Sequence, residues 1–148
     1  MRGERVNYNL LGKTGLYVSE LCLGTMTFGG KGFWEVIGQQ GQEVVNDIVN
    51  RSVDAGINFI DTANVYSMGE SETLLGHAIK DKRDHLIIAT KVRGRMGQGV
   101  NDIGLTRVQI MKQVHESLKR LQTDYIDLYQ IHGFDPVTPL EETLSALN

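Results

Sequence analysis

Asp61, Tyr66, Lys91 and His132 are the side chains of this 148-residue chain whose types could act together on a polar bond. They offer a phenol that can give up a proton, a fixed cation, the carboxylate to balance it, and an imidazole that can hydrogen-bond an oxygen. Each also has an ordinary reading. Asp61 before Thr62 suits a turn, Tyr66 can pack, Lys91 can reach solvent, and His132 before Gly133 can sit in a loop. Position joins them. Lys91 interrupts the apolar run 86–92, which reads as a parallel strand covered on both faces. An unpaired ammonium in such a strand would lose its charge or destabilise the fold. Asp61, at the end of the preceding strand, is the natural partner.

The elements that must hold these groups follow from hydrophobic period and stop signals. Residues 6–18 read as a hairpin turned at Gly12–Gly15, and 21–25 as a short apolar strand. A helix near 42–55 puts Val44, Val45, Ile48, Val49 and Val53 on one face and stops at Gly56. Residues 58–62 form the next strand. Ser71 is placed to cap a helix whose inner side is Leu74, Leu75, Ala78 and Ile79. After strand 86–92, Thr106 and Gln109 form a capping box for a helix predicted to bury Val108, Met111, Val114, Leu118 and Leu121. Residues 125–132 are the last strand. Thr138 and Glu141 form a second capping box, with Pro139 at the first helical position of a helix that runs to Asn148.

Strands alternating with helices imply an α/β fold with a parallel sheet and right-handed crossovers. One domain, 1–148, holds the hairpin 6–18 and four βα units over 21–148, the last helix cut short. In such folds reactive groups collect where strands end and lead into helices. Asp61, Tyr66, Lys91 and His132 come from three successive such ends.

Composition narrows the class. A net charge of -3 gives no footprint for nucleic acid or an anionic membrane. No stretch is long and apolar enough to span a bilayer, and Met1–Arg5 lacks the apolar core of a secretory leader behind it. The single cysteine, Cys22, cannot form an internal disulfide. A cytoplasmic location is therefore expected. His77, His85 and His115 have no metal-ligand spacing with Cys22, and no metal is predicted. The basic loop from Arg93 to Gly99 lacks the strand-then-helix setting of a dinucleotide fingerprint and reads as solvated.

The motifs now in view resemble those of the aldo/keto reductases. Gly24-Thr25-Met26 is similar to the family's first-strand signature. The run from Gly56 through Tyr66 and on through Gly69-Glu70-Ser71-Glu72 to Leu75-Gly76 resembles its second-strand motif. Ala89-Thr90-Lys91-Val92 and Asp124 through His132 look like the third- and fourth-strand motifs. Several motifs in the right order span almost the whole chain. The nearest branch is the aryl-alcohol-dehydrogenase-like and potassium-channel-β-like group.

The resemblance implies the N-terminal half of a (β/α)8 TIM barrel that uses NADPH to reduce a small aldehyde or ketone. It assigns Asp61, Tyr66, Lys91 and His132 as the catalytic tetrad. Tyr66 would be the general acid, Lys91 the cation favouring its phenolate, Asp61 the partner of Lys91, and His132 the group directing the carbonyl oxygen. Gly24, Thr25, Met26 and Asp61 would lie against the cofactor. Phe28 and Trp34 could wall the substrate pocket, together with Tyr66 and His132. A complete barrel takes about 250 residues. The half beyond this chain would, by the same resemblance, carry most of the cofactor site. Four open strands predict a homo-oligomer in which sheet edges pair. The competing reading is a non-catalytic half-barrel scaffold with a vestigial tetrad.

Overall fold

The computed structural model describes residues 6–148. The reading of Met1–Arg5 as no secretory leader lies outside the described residues. Strands β1 (Tyr8–Leu10) and β2 (Tyr17–Ser19) pair antiparallel as the hairpin, with Asn9 opposite Val18. Strands β3 (Cys22–Gly24), β4 (Phe59–Asp61), β5 (Ile87–Val92) and β6 (Leu128–Ile131) then lie side by side in chain order, all parallel. Helices α1 (Gln42–Asp54), α2 (Glu70–Ile79) and α3 (Arg107–Leu121) connect them, and α4 (Leu140–Leu147) follows β6. Consecutive parallel neighbours joined by helices are the barrel-type arrangement. This chain builds four strands of it, an α/β partial TIM barrel as expected.

The strand period sorts the side chains. Ile60, Ile88, Thr90 and Val92 point toward the helices and are buried. The main core fills that layer, with Val45 and Val49 of α1, Leu75 and Ile79 of α2 and Leu121 of α3 packed on Ile60 and Ile88. A smaller cluster of Val92, Leu105 and Ile110 touches Tyr129 and Ala146. Positions of opposite parity, Asp61 and Lys91, face the inner side of the sheet. Gly24 pairs with Asp61, Asp61 with Ala89, and Lys91 with Gln130.

Two ion pairs lock the helical layer. Arg83 binds Asp127 at 2.7 Å, the carbonyls of Leu86 and Tyr125, and lies over the Tyr125 ring at 3.8 Å. Glu72, wholly buried on α2, accepts from Arg120 at 2.7 Å and from the Thr90 hydroxyl at 2.6 Å. Each buried carboxylate therefore keeps both a cation and a hydrogen bond.

Several local expectations need correction. Helix α2 starts at Glu70, with Gly69 at φ +91 as its N-cap, and Ser71 lies inside it. The Ser71 hydroxyl donates instead to the Thr25 carbonyl at 2.8 Å. Thr106 does cap α3, accepting from the Gln109 amide at 3.3 Å. The Gln109 side chain does not reach back; it is buried, with neither amide atom paired among the described residues. Thr138 donates to Asp135 at 2.7 Å, and Pro139 is the N-cap of α4. The buried stripe of α3 is Gln109, Ile110, Gln113, Ser117 and Leu121, while Val108 and Met111 are exposed. On α1, Val44 is exposed. Within the buried stripe of α3, Gln113 accepts from Asn64 and Ser117 from Arg120, while Gln109 is buried without a side-chain partner among the described residues.

Candidate active site

Lys91 reaches the inner face from the fifth position of β5, and parallel pairing brings it level with the end of β4. Its Nζ donates to Asp61 Oδ2 at 2.5 Å and to the Thr62 carbonyl at 2.8 Å. Both side chains of this pair are largely shielded, 15% exposed for Lys91 and 29% for Asp61. Lys91 Nζ also stands 5.3 Å from the centre of the Tyr66 ring, within range of a cation–π contact. The imidazole of His132 also meets Tyr66, edge to face, with centroids 5.5 Å apart and planes at 82°. Although His132 falls one residue past β6, its amide donates to the Val92 carbonyl at 2.9 Å and so extends the ladder.

The structure thus brings Asp61, Tyr66, Lys91 and His132 together at the carboxyl ends of three adjacent strands. Burial, aided by the Lys91 and Arg93 cations and opposed by Asp61, holds His132 below its ordinary value of 6.5. Its imidazole is neutral at physiological pH, and one ring nitrogen is then free to donate to an oxygen.

Tyr66 is fixed by an unusual turn. Ser67 (φ 49, ψ 37) and Met68 (φ 54, ψ 39) both take the left-handed conformation, followed by Gly69 at φ +91. Two consecutive non-glycine residues there cost about 1–2 kcal/mol each. The Ser67 hydroxyl anchors the turn on the Phe28 carbonyl at 2.9 Å, and Met68 N–H donates to Val65. Asn64, two residues before Tyr66, is wholly buried; its backbone N–H donates to the Lys91 carbonyl, and its side chain donates to Gln113 of α3 at 3.1 Å. The loop carrying the phenol is therefore tied to β5, to α3 and to the loop after β3.

Trp34, in a short 3-10 turn at Gly32–Val36, sets its ring edge against Tyr66 at 5.2 Å. Phe28, the other predicted pocket wall, lies elsewhere: it is 1% exposed and packs in the main core. Gly24 and Met26 are open on the inner side beside Asp61. Thr25 is wholly buried, with its hydroxyl 2.9 Å from that of Ser71.

Sequence reasoning missed Gln130 and Arg93. Gln130 Nε2 donates to Asp61 Oδ1 at 3.3 Å, so both oxygens of that carboxylate are engaged. Arg93 donates from Nε to the Phe134 carbonyl at 2.9 Å and lies beside His132. The strand period holds a signal for the first, since Gln130 stands two residues before His132 on the same face.

Comparison with known proteins identifies the family and the fold. Residues 20–148 match the model of the aldo/keto reductase family. Aldo-keto reductase YhdN of Bacillus subtilis is 40% identical over 144 residues, covering 96% of this chain and 42% of its own. A probable voltage-gated potassium channel subunit beta of Oryza sativa is 38% identical over 147 residues, again 42% of its own length. The holo form of aldo-keto reductase AKR11C1 from Bacillus halodurans superposes with a TM-score of 0.82 at 37% identity, over 96% of this chain and 45% of that one. The chain thus spans about half the length of the relatives it matches. On its motifs, its strand order and these likenesses, the chain belongs to the aldo/keto reductase family.

Proposed function

We propose that this chain carries the acid–base half of an NADPH-dependent carbonyl reductase site, reducing aldehydes or ketones to alcohols. The observation that supports it most is Lys91, bonded to Asp61 and close to the Tyr66 ring, with His132 packed edge to face against the same ring. Family membership supports oxidoreductase chemistry in general, and a relative of known structure is described as a holo form. The inner face leaves room for a ligand at Gly24, level with Asp61, where even an added Cβ would meet nothing within 4 Å. Gly24, Met26 and Asp61 are the residues here that would hold a nicotinamide. When bound, NADPH supplies the hydride that the carbonyl carbon accepts.

The remaining work belongs to this chain. Negative charge develops on the carbonyl oxygen, and Tyr66 Oη gives it a proton. The Lys91 ammonium, 5.3 Å from the ring centre, balances the charge left on the phenol, and Asp61, braced by Gln130, keeps that ammonium in place. Neutral His132 donates to the same oxygen and sets its direction. Trp34 screens one side of Tyr66 from water. The cytoplasm is the compartment we propose. Pairing of the open sheet edges in a second copy is the assembly we propose.

The test is fluorescence titration of the 148-residue chain with NADPH, followed by loss of nicotinamide absorbance in the presence of an aromatic aldehyde. Turnover that falls by roughly 100-fold or more in Tyr66→Phe, with cofactor affinity unchanged, is the expected result. No binding at millimolar NADPH would favour the vestigial scaffold instead.

A further inference from the structure

We propose that Arg93 receives the carboxylate of an anionic carbonyl substrate, so that oxo acids and carboxylated aldehydes are the class this site selects. The inference rests on the reductase reading and adds its substrate class.

Arg93 is the first residue after β5, two beyond Lys91. Its side chain crosses to the loop after β6, where Nε donates to the Phe134 carbonyl at 2.9 Å. Its Cδ and Nε pass 3.7 and 3.9 Å from the place a Cβ would occupy on Gly133, the residue next to His132. At φ +147 that position is one few side chains adopt, which is why glycine suits it. The guanidinium is thereby tethered beside the residue that follows His132, and its charge opposes protonation of that imidazole.

What sets Arg93 apart is where its charge goes. Arg51, Arg83 and Arg120 each bind a carboxylate, at 2.9, 2.7 and 2.7 Å. Arg95 and Arg107 spend Nη1 on backbone carbonyls. Among the described residues Arg93 has no carboxylate within 4.0 Å, and neither Nη atom makes a hydrogen bond. The nearby acid is already committed: Asp135 accepts from the amides of Leu105 and Val137 and from the Thr138 hydroxyl. A tethered guanidinium with its outer fork free matches a carboxylate in two parallel hydrogen bonds. The tether also lowers the ordering cost of binding. With the carbonyl end at Tyr66 and His132, Arg93, tethered beside Gly133, would take a second, charged end of the same molecule.

The experiment follows the His132 ring signal by NMR in the 148-residue chain, assigned with His132→Gln. Benzoate, its neutral isostere benzamide, and inorganic phosphate are titrated in turn into the parent, Arg93→Gln and Arg93→Lys. Benzoate should move the signal with a midpoint at least about tenfold below that of benzamide, a difference of ~1.4 kcal/mol. Arg93→Gln should bring the two midpoints together, and Arg93→Lys should keep part of the preference while losing the Phe134 tether. Equal midpoints in the parent, or a preference that survives Arg93→Gln, would overturn the proposal. Phosphate binding tighter than benzoate would assign the anion to a cofactor instead, and also overturn it. A benzoate preference that depends on Arg93, in a chain that oxidises no NADPH with a carboxylated benzaldehyde, would leave the anion site standing and remove the reductase reading.

Discussion

At the scale of single residues the site is governed by one shielded ion pair. Removing only the cation, in Lys91→Met, leaves Asp61 with the weaker Gln130 contact alone, and should lower stability by about 1–3 kcal/mol. Adding Asp61→Asn to that variant should restore most of the loss, because the orphaned charge is gone; a urea double-mutant cycle measures it. If the double variant is as unstable as the sum of the singles, the two groups are not coupled. His132 makes the second residue-scale prediction. Its folded value lies below 6.5, so between that value and 6.5 the unfolded chain takes up the proton first. Stability is therefore undiminished above about pH 6.5 and falls as the pH drops through that window. His132→Gln should remove this component of acid sensitivity, seen as a flatter midpoint-against-pH curve between pH 7 and 5.

At the scale of elements, the tight turn after Tyr66 is the costly part. Met68 is exposed, so its left-handed backbone is not compensated by packing of the side chain. Met68→Gly should relieve that strain at the expense of a looser unfolded chain, with a net gain of about 0.5–1 kcal/mol in denaturant unfolding. The same change at buried Ser67 would forfeit its bond to Phe28 and is not expected to stabilise. This turn also shows where sequence reading stops. Strand order, the four helices and the gathering of Asp61, Tyr66, Lys91 and His132 at the strand ends are legible, because apolar period, Gly56 and the lone lysine in a buried strand are all local signals. The pairing of Ser71 with Thr25, the free side chain of Gln109 and the burial of Phe28 are not. Each depends on which residue lies across the sheet–helix layer, and a capping pattern such as Ser71 or Thr138 looks the same whether its hydroxyl turns to its own helix or to a distant carbonyl. Arg93 and Gln130 escaped for a related reason: their roles come from neighbouring strands, and the strand period marks only the face that Gln130 shares with His132.

At the scale of the whole molecule, the sheet has an inner side and two free edges. Among the described residues β3 and β6 each lack a partner on one side, and parallel strands are ordinarily covered on both faces. Unpaired N–H and C=O groups along such edges invite a further strand. A two-fold axis along the barrel would set β6 of one copy beside β3 of another, all strands parallel, and would close eight strands around the tetrad. The assembly proposed above then predicts sedimentation masses that rise with concentration above the 16.5 kDa of one chain. Ile131, on the β6 edge and 42% exposed, is the position to test it. A lysine there can carry its ammonium to water, so Ile131→Lys should leave the circular dichroism of the chain unchanged. The same charge on the edge should hold the mass at 16.5 kDa. A parent chain that sediments at that single mass at every concentration would show that the edges do not pair between copies.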